Sequence, residues 1–163
     1  MIESTYLEGN QKIMSELKGI RTLVSFKERD LRKLLTYSKI RKYKNGEQII
    51  AEGSYDGHVY LLIYGRAKIL KKKKELAVLD KRGDIFGEMS LLGDCSRTAS
   101  VFADNDVVCL AIDTTHINKL SDGDKSPIYH MLYRIFAETL ANRLKNTSEE
   151  LINLKGKGLK FWQ

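Results

Sequence analysis

Residues 86–103 read F-G-E-M-S-L-L-G-D-C-S-R-T-A-S-V-F-A. Gly87 precedes a carboxylate, Glu88, at the mouth of a short helical segment, and Arg97 follows with Thr98 and Ala99 at the head of a strand-like apolar run. A glycine backbone that a ligand can approach closely, a helix N-terminus and a guanidinium together make an anion site sized for one phosphate. That phosphate would repel Glu88, so the carboxylate must serve another part of the same ligand, and a ribose hydroxyl suits it. The stretch describes a pocket for a small phosphorylated nucleoside.

Outward from it, glycines punctuate a run of short segments with a period of two, beginning at Tyr37. Residues 48–50, 59–64, 67–70, 76–79, 99–103 and 107–112 read as strands, and many short strands with frequent turns point to an antiparallel barrel or jelly-roll-like sandwich. Lys71 to Lys74, between two apolar runs, read as the solvated tip of a hairpin. Helices flank this β-rich middle. Residues 2–19 carry Ile2, Tyr6, Ile13, Met14 and Leu17 at near-helical spacing, broken by Gly9 and Asn10. Residues 23–35 predict a helix with Ser25 as N-cap, Glu28 completing a capping box, and Leu31, Leu34 and Leu35 on its apolar face. Near the C-terminus, Ser126 predicts an N-cap and Pro127 the first helical turn. Met131, Leu132, Ile135, Phe136, Leu140 and Leu144 then form an apolar stripe that Leu151 and Leu154 extend. A stripe alone leaves open whether it packs on the strands or forms a dimer seam.

A chain of 163 residues is one domain's worth, and its 42% hydrophobic and 30% charged composition is that of an ordinary globular protein. No apolar run is long enough to cross a membrane, and the first residues do not read as a secretory signal. Cys95 and Cys109 are too few for a disulfide framework and lack metal-ligand spacing, which suits reduced thiols in a cytoplasmic protein. The net charge of +7 permits contact with polyanions without establishing it. His58, His116 and His130 are scattered with no paired carboxylate, so the chain lacks the clustered ligands of a metal-dependent enzyme.

The quoted stretch resembles the phosphate-binding cassette of the cyclic-nucleotide-binding domain family, in the manner of catabolite activator protein and the regulatory subunit of protein kinase A. Phe86, Gly87, Glu88, Met89, Ser90, Leu91, Leu92, Arg97, Thr98, Ala99, Val101 and Ala103 all fit its pattern. The stretches G-E-Q-I-I-A-E-G and Y-L-L-I-Y-G between Gly46 and Gly65 resemble the family's preceding turn and strand. The resemblance implies an α+β, mainly β fold. An antiparallel β-roll over 36–115, with its cassette at 86–99, is flanked by N-terminal helices in 1–35 and C-terminal helices in 116–154, and 155–163 form a short basic tail.

The resemblance also assigns roles. Glu88 would take the ribose 2′-hydroxyl, Arg97 two oxygens of the cyclic phosphate, and backbone N–H groups around Met89 and Ser90 the same phosphate; Phe86, Gly87, Thr98 and Ala99 complete the site. The final helix would supply a base cap, for which Tyr133, Glu138 and Asn142 fit by offset. In the family that helix closes over the base and often pairs with its copy. The expected ligand is cAMP or cGMP, with adenine preferred because stand-alone domains of this kind resemble cAMP receptors, and Thr98 does not decide between them. No metal or resident cofactor is expected. Too few residues follow the last helix for a helix-turn-helix module, so no sequence-specific DNA binding is expected. The chain thus reads as a non-enzymatic cytoplasmic sensor whose output is its dimer geometry or an unknown downstream protein. Three other readings stand beside it: a metal enzyme on a similar roll, a scaffold that keeps the fold but binds no nucleotide, and weak DNA association through the lysines.

Overall fold

A computed structural model describes residues 1–92 and 96–158. Cys95 and residues 159–163 of the basic tail lie outside the described residues. The elements run β1 (Ile2–Tyr6), α1 (Gln11–Lys18), α2 (Glu28–Thr36), β2 (Ser38–Tyr43), β3 (Gln48–Ile50), β4 (His58–Tyr64), β5 (Ala67–Lys71), β6 (Lys74–Leu79) and β7 (Ile85–Phe86). A 3₁₀ turn (Glu88–Leu92), β8 (Ser100–Ala103), β9 (Val107–Asp113), α3 (Thr114–Asn118) and α4 (Asp122–Gly158) complete the chain. Every strand pairing is antiparallel, in two sheets ordered β1-β2-β9-β4-β7 and β3-β8-β5-β6. This is the expected α+β, mainly β roll with helices on either side.

In the five-stranded sheet, β4 and β9 are buried on both faces, which is why these two strands read as nearly unbroken apolar runs. Val59 and Leu61 of β4, with Leu110 and Ile112 of β9, join the helical residues Leu17, Leu31, Leu34, Met131, Leu132 and Ile135 in one core. The alternate residues Tyr60 and Leu62, with Cys109 and Ala111, turn into the roll and meet Ile50, Phe86 and Val101 there. Alternation along a strand sends successive side chains to opposite faces, so one sheet serves two cores. Phe86 stacks on Tyr60 with ring centroids 5.2 Å apart and thereby anchors the start of the cassette inside the roll.

Three local expectations are corrected. Residues 2–6 form a strand, with Ile2 opposite Lys42 and Tyr6 opposite Lys39 on the edge of β2; only Gln11–Lys18 of the first segment is helical, capped by the Asn10 side chain. A β-branched segment beside an open sheet edge gains ladder hydrogen bonds that local periodicity does not foreshadow. The second helix begins at Glu28 behind Lys27, with no side-chain cap, and residues 21–26 are turns and bends rather than a Ser25-capped helix. Finally, α4 begins at Asp122, where the Ser121 hydroxyl donates to Asp124 (2.9 Å), so Ser126 is not the cap and Pro127 lies inside the helix. Proline is tolerated there because only the carbonyl one turn earlier, near a helix end, loses its donor.

The lysine hairpin is as expected: Lys71 pairs with Lys74, and Lys72 and Lys73 adopt φ of 48° and 66° in the two-residue turn. Along α4 the apolar stripe divides. Ile128, Met131, Leu132 and Ile135 are buried against the sheet and helices, whereas Leu140, Leu144, Leu151 and Leu154 are exposed. No helix among the described residues is long and apolar enough to cross a membrane.

Candidate functional site

A cleft of about 380 Å³ opens between the 3₁₀ turn and the head of β8, lined by Ile50, Ile69, Phe86, Gly87, Glu88, Met89, Arg97, Thr98, Ala99, Val101 and Arg143. Seven of the expected residues therefore share one cavity, and Ser90 lies in the same turn. Gly87 has φ +73°, and a Cβ there would approach the Arg97 Nη1 atom to 3.0 Å and the His58 carbonyl to 3.2 Å. The position needs glycine both for its backbone and for the space that the guanidinium occupies.

Arg97 is only 3% exposed. Its Nη1 donates to the Gly87 carbonyl and its Nη2 to the carbonyls of Asp56 and His58, which hold the guanidinium at the cavity wall. Its Nε is buried and has no hydrogen-bond partner among the described residues. A buried, unmatched donor on a cation facing a cleft suits an anionic ligand.

Behind Arg97 stands a polar cluster that sequence reasoning missed. The Asp56 carboxylate lies 3.6 Å from Arg97 Nη2. The Tyr60 hydroxyl donates to its Oδ2 (2.8 Å), and His58 Nδ1 contacts its Oδ1 (2.5 Å). Arg41 Nη2 is 3.2 Å from His58 Nε2; since a guanidinium can only donate, Nε2 accepts and the ring proton sits on Nδ1, aimed at Asp56. Arg41 also donates to Tyr60 (2.7 Å) and, through Nε, to Glu3 of the edge strand β1. Burial alone would raise the Asp56 pKa, but the hydrogen bonds from His58 and Tyr60 and the charge of Arg97 outweigh it and pull it to about 2. Burial, then the charge of Asp56, pushes Tyr60 far above the usual phenol range. These residues sit in a loop and on a strand with no distinguishing spacing, so only the fold assembles them.

The residues proposed for the base lie elsewhere. The Tyr133 hydroxyl donates to the Leu91 carbonyl at the end of the 3₁₀ turn (3.2 Å) and its ring stacks on Tyr129; Glu138 pairs with Arg134, and Asn142 is exposed. None of the three lines the cleft. The contribution of α4 is Arg143, whose Nη2 donates to the Ile85 carbonyl (2.6 Å) and whose Nη1 lies 4.0 Å from Glu88 Oε1. Among the described residues no group of three or more His, Cys, Asp or Glu could hold a metal ion.

The family model described as the cyclic nucleotide-binding domain matches residues 40–124, more than half of the chain. The chain belongs to this family. The domain is 37% identical over 87 residues to the cAMP-dependent protein kinase regulatory subunit of Eremothecium gossypii, covering 53% of this chain and 19% of that protein. It is 29% identical over 109 residues to cGMP-dependent protein kinase 2 of Mus musculus, covering 63% of this chain and 14% of that one. The domain thus spans less than a fifth of either relative. Among solved structures, it resembles a chain described as Sp-2Cl-cAMPS bound to PKAR CBD2 (TM-score 0.65, 24% identity, 93% of this chain and 94% of that one). It also resembles the catabolite activator protein of Thermus thermophilus (TM-score 0.59, 26% identity, 86% and 63%). A cyclic nucleotide-binding domain from Methylobacillus flagellatus shares the fold at TM-score 0.73 and 19% identity over 91% of this chain and 88% of that one. The fold they share is a regulatory, ligand-binding one rather than a catalytic one.

Proposed function

We propose that this domain is a non-enzymatic cyclic-nucleotide sensor that prefers cAMP to cGMP and signals through α4 to a dimer mate or a downstream protein. The observation that carries this reading is the placement of Glu88 and Arg97 on one cleft behind Gly87. The ring phosphate meets Arg97, the ribose hydroxyl donates to Glu88, and the small Ala99 leaves room for both. Phe86, Met89, Ser90 and Thr98 complete the site. The reading requires no metal or resident cofactor and suits the cytoplasm, where cyclic nucleotides are made. A relative that is a cAMP-dependent regulatory subunit supports the ligand class.

A dimer through α4 is the second half of the proposal. Tyr133, Ala137, Leu140, Leu144, Thr147, Leu151 and Leu154 alternate steps of four and three, the a/d pattern of a two-stranded seam. Leu144 is 70% and Leu154 67% exposed, so among the described residues nothing covers the distal part of the seam.

Thermal melting tests the ligand. At about a hundred times its dissociation constant, a nucleotide adds roughly 2.7 kcal/mol to stability, and cAMP should raise the melting temperature more than cGMP at equal concentration. Arg97→Lys should weaken the shift strongly and Arg97→Ala abolish it. One observation favours a scaffold that binds nothing: both terminal nitrogens of Arg97 already clamp backbone carbonyls. On that reading Arg97→Ala lowers the melting temperature, but the wild type gains nothing from either nucleotide at millimolar concentration.

A further inference from the structure

Resting on the nucleotide-binding reading, we infer that the Lys71–Lys74 hairpin tip is an electrostatic guide that draws the anionic nucleotide into the cleft and so sets its association rate. The tip stands at the mouth of the site. Ile69 of β5 and Val101 of β8 are register partners, and both line the cleft. Leu70 lies opposite Ser100, and the same register continued by one residue sets Lys71 opposite Ala99, another lining residue. The Lys72 amide donates to Glu52 (3.2 Å), whose own amide donates to the Ser100 hydroxyl (2.9 Å). Gly53, next in the chain, donates to the Arg97 carbonyl (2.8 Å). The tip is thus braced against the turn that holds the backbone of the phosphate-facing arginine. At a strand rise of about 3.3 Å per residue, Lys71 and Lys72 stand roughly 7 and 10 Å beyond Ile69. Both distances are comparable with the screening length of about 8 Å at physiological salt.

Three features set this tip apart from an ordinary solvated turn. Lys72 and Lys73 have φ of 48° and 66°, and a two-residue turn with both central residues in this region prefers Asn-Gly, because a longer side chain crowds the backbone there. The chain therefore keeps two charges where backbone chemistry favours none. All four lysines are exposed, and among the described residues none of them forms an ion pair; Glu75 pairs with Lys68 (3.8 Å), and Glu52 offsets one charge. Finally, the cleft's own cations project little field into solvent. Arg97 is 3% exposed with Asp56 3.6 Å away, and Arg143 faces Glu88 at 4.0 Å. Unpaired charges at a rim raise the local concentration of an oppositely charged ligand, and they act on its arrival rather than on its residence.

Stopped-flow mixing of the full chain with base-labelled fluorescent cAMP and cGMP, at about 10 mM and about 500 mM salt, separates association from dissociation and screened from unscreened charge. Lys71→Gln, Lys72→Gln, Lys73→Gln and Lys74→Gln combined should slow association about threefold to tenfold at low salt and less than about twofold at high salt, with dissociation unchanged. Arginine at the same four positions should keep the wild-type rate. Lys72→Asn with Lys73→Gly relaxes the turn, so this variant should melt a few degrees higher yet associate about twofold to threefold more slowly at low salt. A merely structural tip would move stability and association in the same direction. Association by the glutamine variant at the wild-type rate, or slowed equally at both salts, overturns the guide and leaves a solvated turn. Affinity lost through faster dissociation also overturns it and makes the lysines direct ligand contacts. Failure of the wild type to bind either nucleotide overturns the underlying function itself, and the guide with it.

Discussion

At Arg97, the fold already holds hydrogen-bond donors that the proposed ligand would use. Its terminal nitrogens hold three carbonyls from two separate segments, which fixes the guanidinium before any ligand arrives, while its Nε remains unmatched. Preorganisation of this kind limits the ordering cost of binding. Asp56 supports the arrangement from behind and makes it sensitive to acid. Its pKa of about 2 lies below its ordinary value of 3.8, so its contribution is complete above about pH 5 and is lost as pH falls through 3.8 toward 2. The difference corresponds to about 2 kcal/mol. Asp56→Asn should therefore melt lower than wild type at pH 7 and lose less stability than wild type between pH 4 and pH 2. Parallel melting curves across that interval would show that Asp56 is not coupled in this way. At this scale Glu88, Arg97 and their glycine were readable from residue order, because one contiguous segment carries them. Asp56, Tyr60 and Arg143 were not, because they come from a loop, a strand and the last helix and reach the cassette only in the folded chain.

The elements follow the same division. Strands β3 to β6, β8 and β9 stand within a residue or two of their apolar runs, since alternation and turn glycines are local signals. β1 was hidden because Ile2 and Tyr6 satisfy a four-residue step as readily as a two-residue one, and the lone edge of β2 decides between them. The seven-residue pattern of α4 lies open in the sequence, but its meaning depends on burial. The half that ends at Ile135 is covered, and the half that carries Leu144 and Leu151 is not. Leu144→Glu with Leu151→Glu should turn a dimer into a monomer in light scattering, with little change in melting temperature extrapolated to low protein concentration. Both side chains are exposed within the chain, so their replacement leaves the fold intact. A wild type that is monomeric at tens of micromolar would remove the seam from the proposal.

For the molecule as a whole, the central sheet is shared by two apolar interiors, and neither the roll nor the helical layer can separate without exposing a face of β4 and β9. Such sharing favours a single cooperative unfolding transition. Composition and length indicated one domain, the period of the strands indicated an antiparallel barrel or jelly-roll-like sandwich, and the family resemblance implied a roll. The double use of one sheet was invisible until the topology assigned alternate residues to opposite faces.

Cys109 sits at the middle of that shared sheet, fully enclosed, with burial pushing its thiol up to about 12. It is consequently a clock built into the protein. In a Cys95→Ser background, a disulfide reagent can reach it only while the strands part, so the labelling rate counts the openings of the roll. Bound cyclic nucleotide should slow that count in proportion to its occupancy, whereas a domain that ignores the nucleotide will keep the same time with or without it.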